Sequence, residues 1–199
     1  MSRAPSRMPL VPALQVLIVL REERIVVTTM GAAREWPKLA QHALDFHYVP
    51  SAMGEAPALG LGLALSKPQR EVLIVNGDGG MLMNLGSLVT IVASGCRNIT
   101  LVVLENGIFE VTGGQQTAAA RAQARAQVDL AGMARGAGFA NVHAFQRLDA
   151  WQREAAAILE QPGPRFITLA VEPVVDWQLN APGPMSERLA RFKAALAAV

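Results

Sequence analysis

Between residues 72 and 105 the chain runs through an aliphatic stretch, a glycine cluster, a helical stretch and a second aliphatic stretch. Few folds accept that order. Residues 72–76 (Val-Leu-Ile-Val-Asn) and 99–105 (Ile-Thr-Leu-Val-Val-Leu-Glu) are nearly unbroken runs of β-branched and aliphatic side chains. A strand wetted on one face would alternate apolar with polar residues. Runs this continuous belong to strands covered on both faces, as in a parallel sheet. Residues 25–29, 142–145 and 166–171 read the same way. Helical patterns lie at 10–20, 57–65, 81–93, 128–137, 148–161 and 186–198, with Gly95, Gly138 and Gly163 placed where helices should stop. Such alternation indicates βαβ units, so the expected fold is α/β, a doubly wound, mainly parallel sheet flanked by helices.

With 199 residues, 51% hydrophobic and 17% charged, the chain can bury a full core, and disorder is excluded for most of it. It reads as one domain, 1–199, with 173–199 as a C-terminal extension: a proline-marked connection and a final amphipathic helix. A single cysteine, Cys96, excludes an internal disulfide framework and a cysteine zinc cluster, and it suits a reducing cytoplasm. Cys96 itself reads as a small buried hydrophobe. The 18 basic residues face 16 acidic ones with no block of five like charges, which gives nucleic-acid binding no support. Residues 10–20, preceded by Arg3 and Arg7, superficially resemble a signal peptide. No small-residue cleavage site follows, Arg21-Glu22-Glu23-Arg24 comes next, and the stretch is too short to span a bilayer. It reads as a core helix, and the chain as a cytoplasmic one that does not enter the membrane.

The chemistry concentrates at two strand ends. Gly77-Asp78-Gly79-Gly80 follows the strand at 72–76, and Asn106-Gly107-Ile108 follows the strand at 99–105. One crossover helix between them puts both strand ends on the same edge of the sheet, so an Asp carboxylate and an Asn amide meet there. Hard oxygen donors of this kind suit Mg²⁺, which shares its shell with water and phosphate oxygens. The glycines let backbone N–H groups approach an anion, and the helix expected from Met81 points its positive end at it. Taken singly, Gly-Asp-Gly is a common turn and Asn-Gly a hairpin signal. Together they read as a metal bridged to a phosphate or diphosphate. The rival phosphate fingerprints Gly-x-x-x-x-Gly-Lys and Gly-x-Gly-x-x-Gly after a strand are absent. Gly60-Leu61-Gly62 falls inside a helical pattern and reads as close helix packing.

Gly77-Asp78-Gly79, then 26 residues, then Asn106-Gly107 resembles the thiamine-diphosphate motif of thiamine-dependent enzymes. The likeness is strongest to phosphonopyruvate and sulfopyruvate decarboxylases. Thr28-Thr29-Met30-Gly31 with Arg34-Glu35, Ser51-Ala52-Met53-Gly54 and Thr112-Gly113-Gly114-Gln115 support it. The motif usually carries two consecutive Asn residues; here Glu105 stands in place of the first. The resemblance implies a Mg²⁺ ion held by the Asp78 and Asn106 side chains and the Ile108 carbonyl. It implies thiamine diphosphate bound by Thr29, Gly31, Ser51, Met53, Gly77, Asp78, Gly79, Gly80, Asn106 and Ile108. Among these, Gly79 and Gly80 would offer backbone donors to the diphosphate, while the Ser51 carbonyl and Met53 amide would hold the aminopyrimidine. Met53 would prop the cofactor in its bent form, unless it is a plain core methionine.

In this family the glutamate that activates the pyrimidine ring comes from a separate pyrimidine-binding domain, across a subunit interface. The resemblance therefore implies no catalytic residue in this chain. Glu55, beside Met53-Gly54, lies on the wrong side of the cofactor and reads as a helix N-terminal acid. The expectation is the diphosphate-binding, beta-type subunit of a 2-oxo acid decarboxylase, inactive alone and hetro-oligomeric with a pyrimidine-binding partner subunit. Its substrate would be small and sulfopyruvate- or phosphonopyruvate-like. A non-catalytic cofactor-binding or regulatory module, and a generic α/β scaffold, are the alternatives. His42 and His47 could face the site or serve packing, and Arg34 could bind an acidic substrate tail or pair on a helix surface. Residues 112–117 and the Ala-rich run at 118–127 could be a lid or an ordinary connection.

Overall fold

The computed structural model describes residues 7–121, 128–174 and 183–198. In chain order its elements are α1 (Leu10–Leu20), β1 (Ile25–Thr28), α2 (Met30–Leu39), β2 (Asp45–His47), α3 (Ala56–Ser66), β3 (Val72–Gly77), α4 (Asp78–Met83) and α5 (Gly86–Ala93). There follow β4 (Ile99–Glu105), β5 (Ile108–Phe109), β6 (Gln115–Gln116), α6 (Ala118–Arg121), α7 (Leu130–Ala137), β7 (Asn141–Phe145), α8 (Leu148–Leu159), β8 (Arg165–Ala170) and α9 (Met185–Ala197). Six strands form one sheet in the order β2-β1-β3-β4-β8-β7, and every pairing is parallel. This is the doubly wound parallel sheet that the aliphatic runs predict.

Alternate residues of each central strand feed two separate cores. Val72, Ile74, Ile99, Leu101 and Val103 pack with α3, α5 and α7 on one face. Leu73, Val75, Val102 and Leu104 pack with α1, α2 and α8 on the other. Both faces are thus dry, which is why the strands carry no polar alternation. Leu14 and Leu17 of α1 are fully buried, so the apolar stretch 10–20 is a core helix. Trp151 of α8 donates its indole N–H to the Ala13 carbonyl and locks that pair of helices. No helix among the described residues is long and apolar enough to cross a membrane.

Several expectations need correction. The helix expected over 81–93 is two helices, α4 and α5, and the first begins at Asp78. Gly95 and Gly138 do sit at helix ends with positive φ, whereas Gly163 lies between α8 and β8, three residues past the α8 cap at Glu160. The helix α2 had no expected counterpart because Gly31 and Pro37 interrupt its pattern, and β2 is too short to show a period. Residues 122–127 of the Ala-rich run and 175–182 of the proline-marked connection lie outside the described residues.

Gly60 and Gly62 separate in three dimensions. A Cβ on Gly60 would land on the Ile74 side chain, while one on Gly62 would meet open space. Close packing therefore explains Gly60 alone. Gly60→Ala is expected to lower stability by about 1–3 kcal/mol through overpacking. Gly62→Ala should raise it by up to about 1 kcal/mol, since glycine weakens a helix interior. Paired chemical denaturation of the two variants checks this, and equal effects would contradict it.

Candidate functional site

The chain leaves β1 through α2 toward β2, then returns across β1 to β3 by way of α3. The two helices lie on opposite faces of the sheet: Trp36 of α2 belongs to one core, and Leu61 of α3 to the other. The C-terminal ends of β1 and β3 therefore part into a crevice, the place where open α/β sheets bind ligands. A cleft of about 500 Å³, part of it open to solvent, occupies that crevice. Thr29, Ser51, Met53, Gly77, Asp78, Gly79, Gly80, Asn106 and Ile108 all line it. Gly31 does not; it lines a smaller pocket behind, together with Thr29, Gly77, Asn106 and Glu110. A Cβ at Gly31 would strike the Glu110 carboxylate, which accepts the Gly31 backbone N–H.

Gly77, extended at φ −88° and ψ 156°, turns the chain straight from β3 into α4. Asp78 is thereby carried into the first turn and buried to 2% exposure. Its Oδ1 accepts from the Gly79 N–H at 2.9 Å, and its Oδ2 from the Gly107 N–H at 3.0 Å and the Thr117 hydroxyl at 3.3 Å. Burial pushes its carboxyl above the usual range, and these donors pull it back. The Arg7 guanidinium pulls the same way more weakly. Asn106 accepts the Ile108 N–H on Oδ1 at 2.9 Å, its amide group donates to Glu110, and Arg7 donates to its backbone carbonyl. Oδ1 of Asp78 and Oδ1 of Asn106 each keep a lone pair free beyond these bonds. A buried carboxylate and an amide oxygen, poorly balanced by neighbouring positive charge, fit a small hard cation such as Mg²⁺. Gly79 and Gly80 have no room for side chains: a Cβ would lie 2.7 Å from the Phe109 ring and 2.8 Å from Asn76 Oδ1, respectively.

Opposite this wall, residues 51–54 form the other lip. Met53 is 46% exposed at the rim, which excludes the plain core methionine. Gly54 needs its positive φ of 88° and packs against Gly80 and Met83, while Asn84 donates to its carbonyl at 3.2 Å. Glu55 takes the cap position of α3 and also meets Asn84, at 3.4 Å, consistent with a helix N-terminal acid. Met30, the first residue of α2, has φ 48°, a strained value for a side chain of its size, and lines the cleft.

The two histidines lie elsewhere, whereas Thr112 lines the cleft. His42 and His47 border a different groove at the outer edge strand β2. His47 pairs through Nδ1 with the Thr28 hydroxyl at 2.8 Å; burial, and then Arg188, hold it down to about 4, so it is neutral at pH 7. Arg34 is buried, pairs with Glu35 at 2.8 Å and faces Glu110. The segment 112–117 is part of a small hairpin, β5 paired with β6, and its last residue Thr117 is fully buried against Asp78. Sequence reasoning missed Thr117, Asn76 and Glu110. Only Glu110 left a signal, an acid four residues after Asn106 in an otherwise apolar segment.

A parallel sheet whose switch-point crevice combines buried hard-oxygen donors with a glycine-lined helix start suits a phosphorylated cofactor. The chain belongs to the thiamine pyrophosphate enzyme family, as its C-terminal TPP binding domain; the family model matches residues 26–169. It is 38% identical to phosphonopyruvate decarboxylase of Streptomyces viridochromogenes over 86% of this chain and 42% of that protein. It is 35% identical to sulfopyruvate decarboxylase subunit beta of Methanothermobacter thermautotrophicus over 82% of each chain. The chain thus spans less than half the length of the phosphonopyruvate decarboxylases it matches. Among solved structures, the thiamine diphosphate-dependent 4-hydroxybenzoylformate decarboxylase of Rhodococcus jostii superposes with a TM-score of 0.64 at 14% identity, over 88% of this chain and 34% of that one. That likeness shows the fold.

Glu105, in place of the usual first Asn, has an electrostatic consequence. Burial, with Asp78 and Asp129 nearby, pushes its carboxyl up to about 7. The folded chain therefore holds this proton longer than the unfolded chain. The stability this lends is complete below about pH 4.5 and is lost as pH rises through about 7. Glu105→Gln removes that loss. In chelator, the melting temperature of the variant relative to the parent should climb between pH 4.5 and 7 and then level off. A constant difference across that range would contradict the assignment.

Proposed function

We propose that the cleft binds thiamine diphosphate through a Mg²⁺ ion held by the Asp78 and Asn106 side-chain oxygens and the Ile108 carbonyl. The observation that carries this reading is the buried Asp78 carboxylate, fixed by three donors beside Asn106 at the switch-point edge. Gly77, Gly79 and Gly80 present bare backbone at the start of α4, where the diphosphate would lie. Thr29 would line the cofactor's site, while Gly31 would act from the smaller pocket behind, where its bare backbone admits Glu110. The Ser51 carbonyl and Met53 amide would hold the aminopyrimidine, and the Met53 side chain would support the bend between the rings. When bound, thiamine diphosphate supplies a carbon nucleophile and an electron sink for loss of CO₂ from a 2-oxo acid.

In this reading the chain serves as a cytoplasmic cofactor-binding subunit of a 2-oxo acid decarboxylase with a sulfopyruvate- or phosphonopyruvate-like substrate. The names and coverage of the curated relatives support it, the beta-subunit match above all. A pyrimidine-binding partner subunit would supply the activating glutamate in a hetero-oligomer, with no nucleic acid or membrane involved. Met53, Met83 and Val111 are each more than 40% exposed around the cleft mouth, an apolar rim suited to a partner's surface.

The test is reconstitution. This chain is mixed with a co-purifying partner, Mg²⁺ and thiamine diphosphate, then assayed on sulfopyruvate, phosphonopyruvate and pyruvate. Turnover only in the mixture, with an acidic-tailed substrate preferred, is the expected result. Full turnover by this chain alone would overturn the partner assignment. Cofactor binding without turnover on any substrate would overturn the decarboxylase reading in favour of a non-catalytic module.

A further inference from the structure

We propose that Asn76 is a cofactor-binding residue whose side-chain N–H donates a hydrogen bond to the diphosphate. The inference rests on the reading of the cleft as a thiamine diphosphate site and names a contact within it. Asn76 precedes Gly77 at the end of β3, is 2% exposed, and lines the cleft. Its orientation is set by Thr29. The Thr29 N–H is bound to the Val75 carbonyl at 3.0 Å, and its hydroxyl donates to Asn76 Oδ1 at 3.0 Å. The competing acceptor for that hydroxyl, the Val75 carbonyl, is farther away at 3.4 Å. With Oδ1 so engaged, Nδ2 turns away from Thr29, and among the described residues it has no hydrogen-bond partner. Buried amide donors are almost always satisfied, so an orphan on a cleft wall calls for an acceptor from outside the chain.

The neighbourhood specifies which acceptor. A Cβ built on Gly80 would lie 2.8 Å from Asn76 Oδ1 and 3.4 Å from Nδ2, so the amide abuts the first turn of α4. That turn carries Gly79 and Gly80 beside Asp78, the end of the cleft suited to a metal-bound anion. Among the described residues the other orphaned side-chain polar atom of the cleft, Ser51 Oγ, belongs to the opposite lip. Phosphoryl oxygens are the acceptors that belong beside Asn76. A carboxylate there would put a second buried negative charge near Asp78 and repel the same oxygens, which accounts for an amide in this position.

The test uses Asn76→Asp and Asn76→Ala in the full chain. The aspartate keeps the volume and the acceptor for Thr29, but exchanges the donor for a negative charge. The alanine removes donor and acceptor together and introduces no charge. Dissociation constants for thiamine diphosphate and for inorganic diphosphate are measured by calorimetry with Mg²⁺, and circular dichroism monitors the fold. Both ligands should bind at least about tenfold more weakly to each variant, with the aspartate the more damaging, as expected for loss of a hydrogen bond to a charged acceptor. Unchanged affinity for thiamine diphosphate in the folded variants would overturn the assignment. So would weakened thiamine diphosphate binding with inorganic diphosphate unaffected, which would place the donor on another part of the cofactor. Failure of the parent chain to bind thiamine diphosphate would instead overturn the reading of the cleft.

Discussion

The Asp78 carboxylate takes hydrogen bonds from the Gly79 and Gly107 backbone and from the Thr117 hydroxyl, and so ties together three segments distant in sequence. It fixes the β3–α4 turn, the turn after β4 and the start of α6. Thr117 in turn donates its own N–H to the Gly107 carbonyl, closing the β5–β6 hairpin over the site. Burying a carboxylate is unfavourable unless donors or a cation balance it. Here neutral donors do most of that work, and Asp78 lines a cleft at the β1–β3 crevice, where the sheet reverses its winding. The cost of that buried charge is what the cation proposed here would relieve.

The sheet makes that arrangement rigid. Because β1, β3 and β4 are parallel and in register, Thr28 lies opposite Val75, and Gly77 opposite Leu104. Their C-terminal ends therefore lie along one edge with no freedom to slip, since a shift by one residue would exchange the two cores. At the outer edge, α9 covers β2: Phe192 stacks on Phe46 with ring centroids 5.0 Å apart, and Arg188 donates to the His47 and Val49 carbonyls. That contact anchors the segment leading to Ser51 and Met53, so α9 supports the lip of the cleft from behind.

Much of this was legible in the sequence because it follows from periodicity and strand ends. Near-continuous apolar runs marked five of the six sheet strands, although β7, at the sheet's edge, is only partly buried rather than covered on both faces. The glycines after β3, with Asp78 and Asn106, marked the edge that matters. The short edge strand β2 was not legible, since three residues of mixed polarity carry no period. Nor was α2, whose glycine and proline argue against a helix that tertiary packing around Trp36 nevertheless holds. Asn76 and Thr117 were invisible for a different reason. Their roles come from being buried beside a ligand site, and a polar residue at the end of a strand or in a polar loop looks the same when it is solvated. Arg34 read as a possible substrate contact because its burial against Glu35 and Glu110 is a property of the fold.

The central claim is that Asp78 helps to hold a divalent cation that in turn holds a diphosphate. It is tested most directly by titrating thiamine diphosphate into the chain with Mg²⁺, after chelation, and with Asp78→Asn, which keeps the shape of the residue and removes its charge. Saturable binding that is lost on chelation and reduced at least about tenfold by the substitution is the predicted result. Binding of equal strength in all three conditions would contradict it.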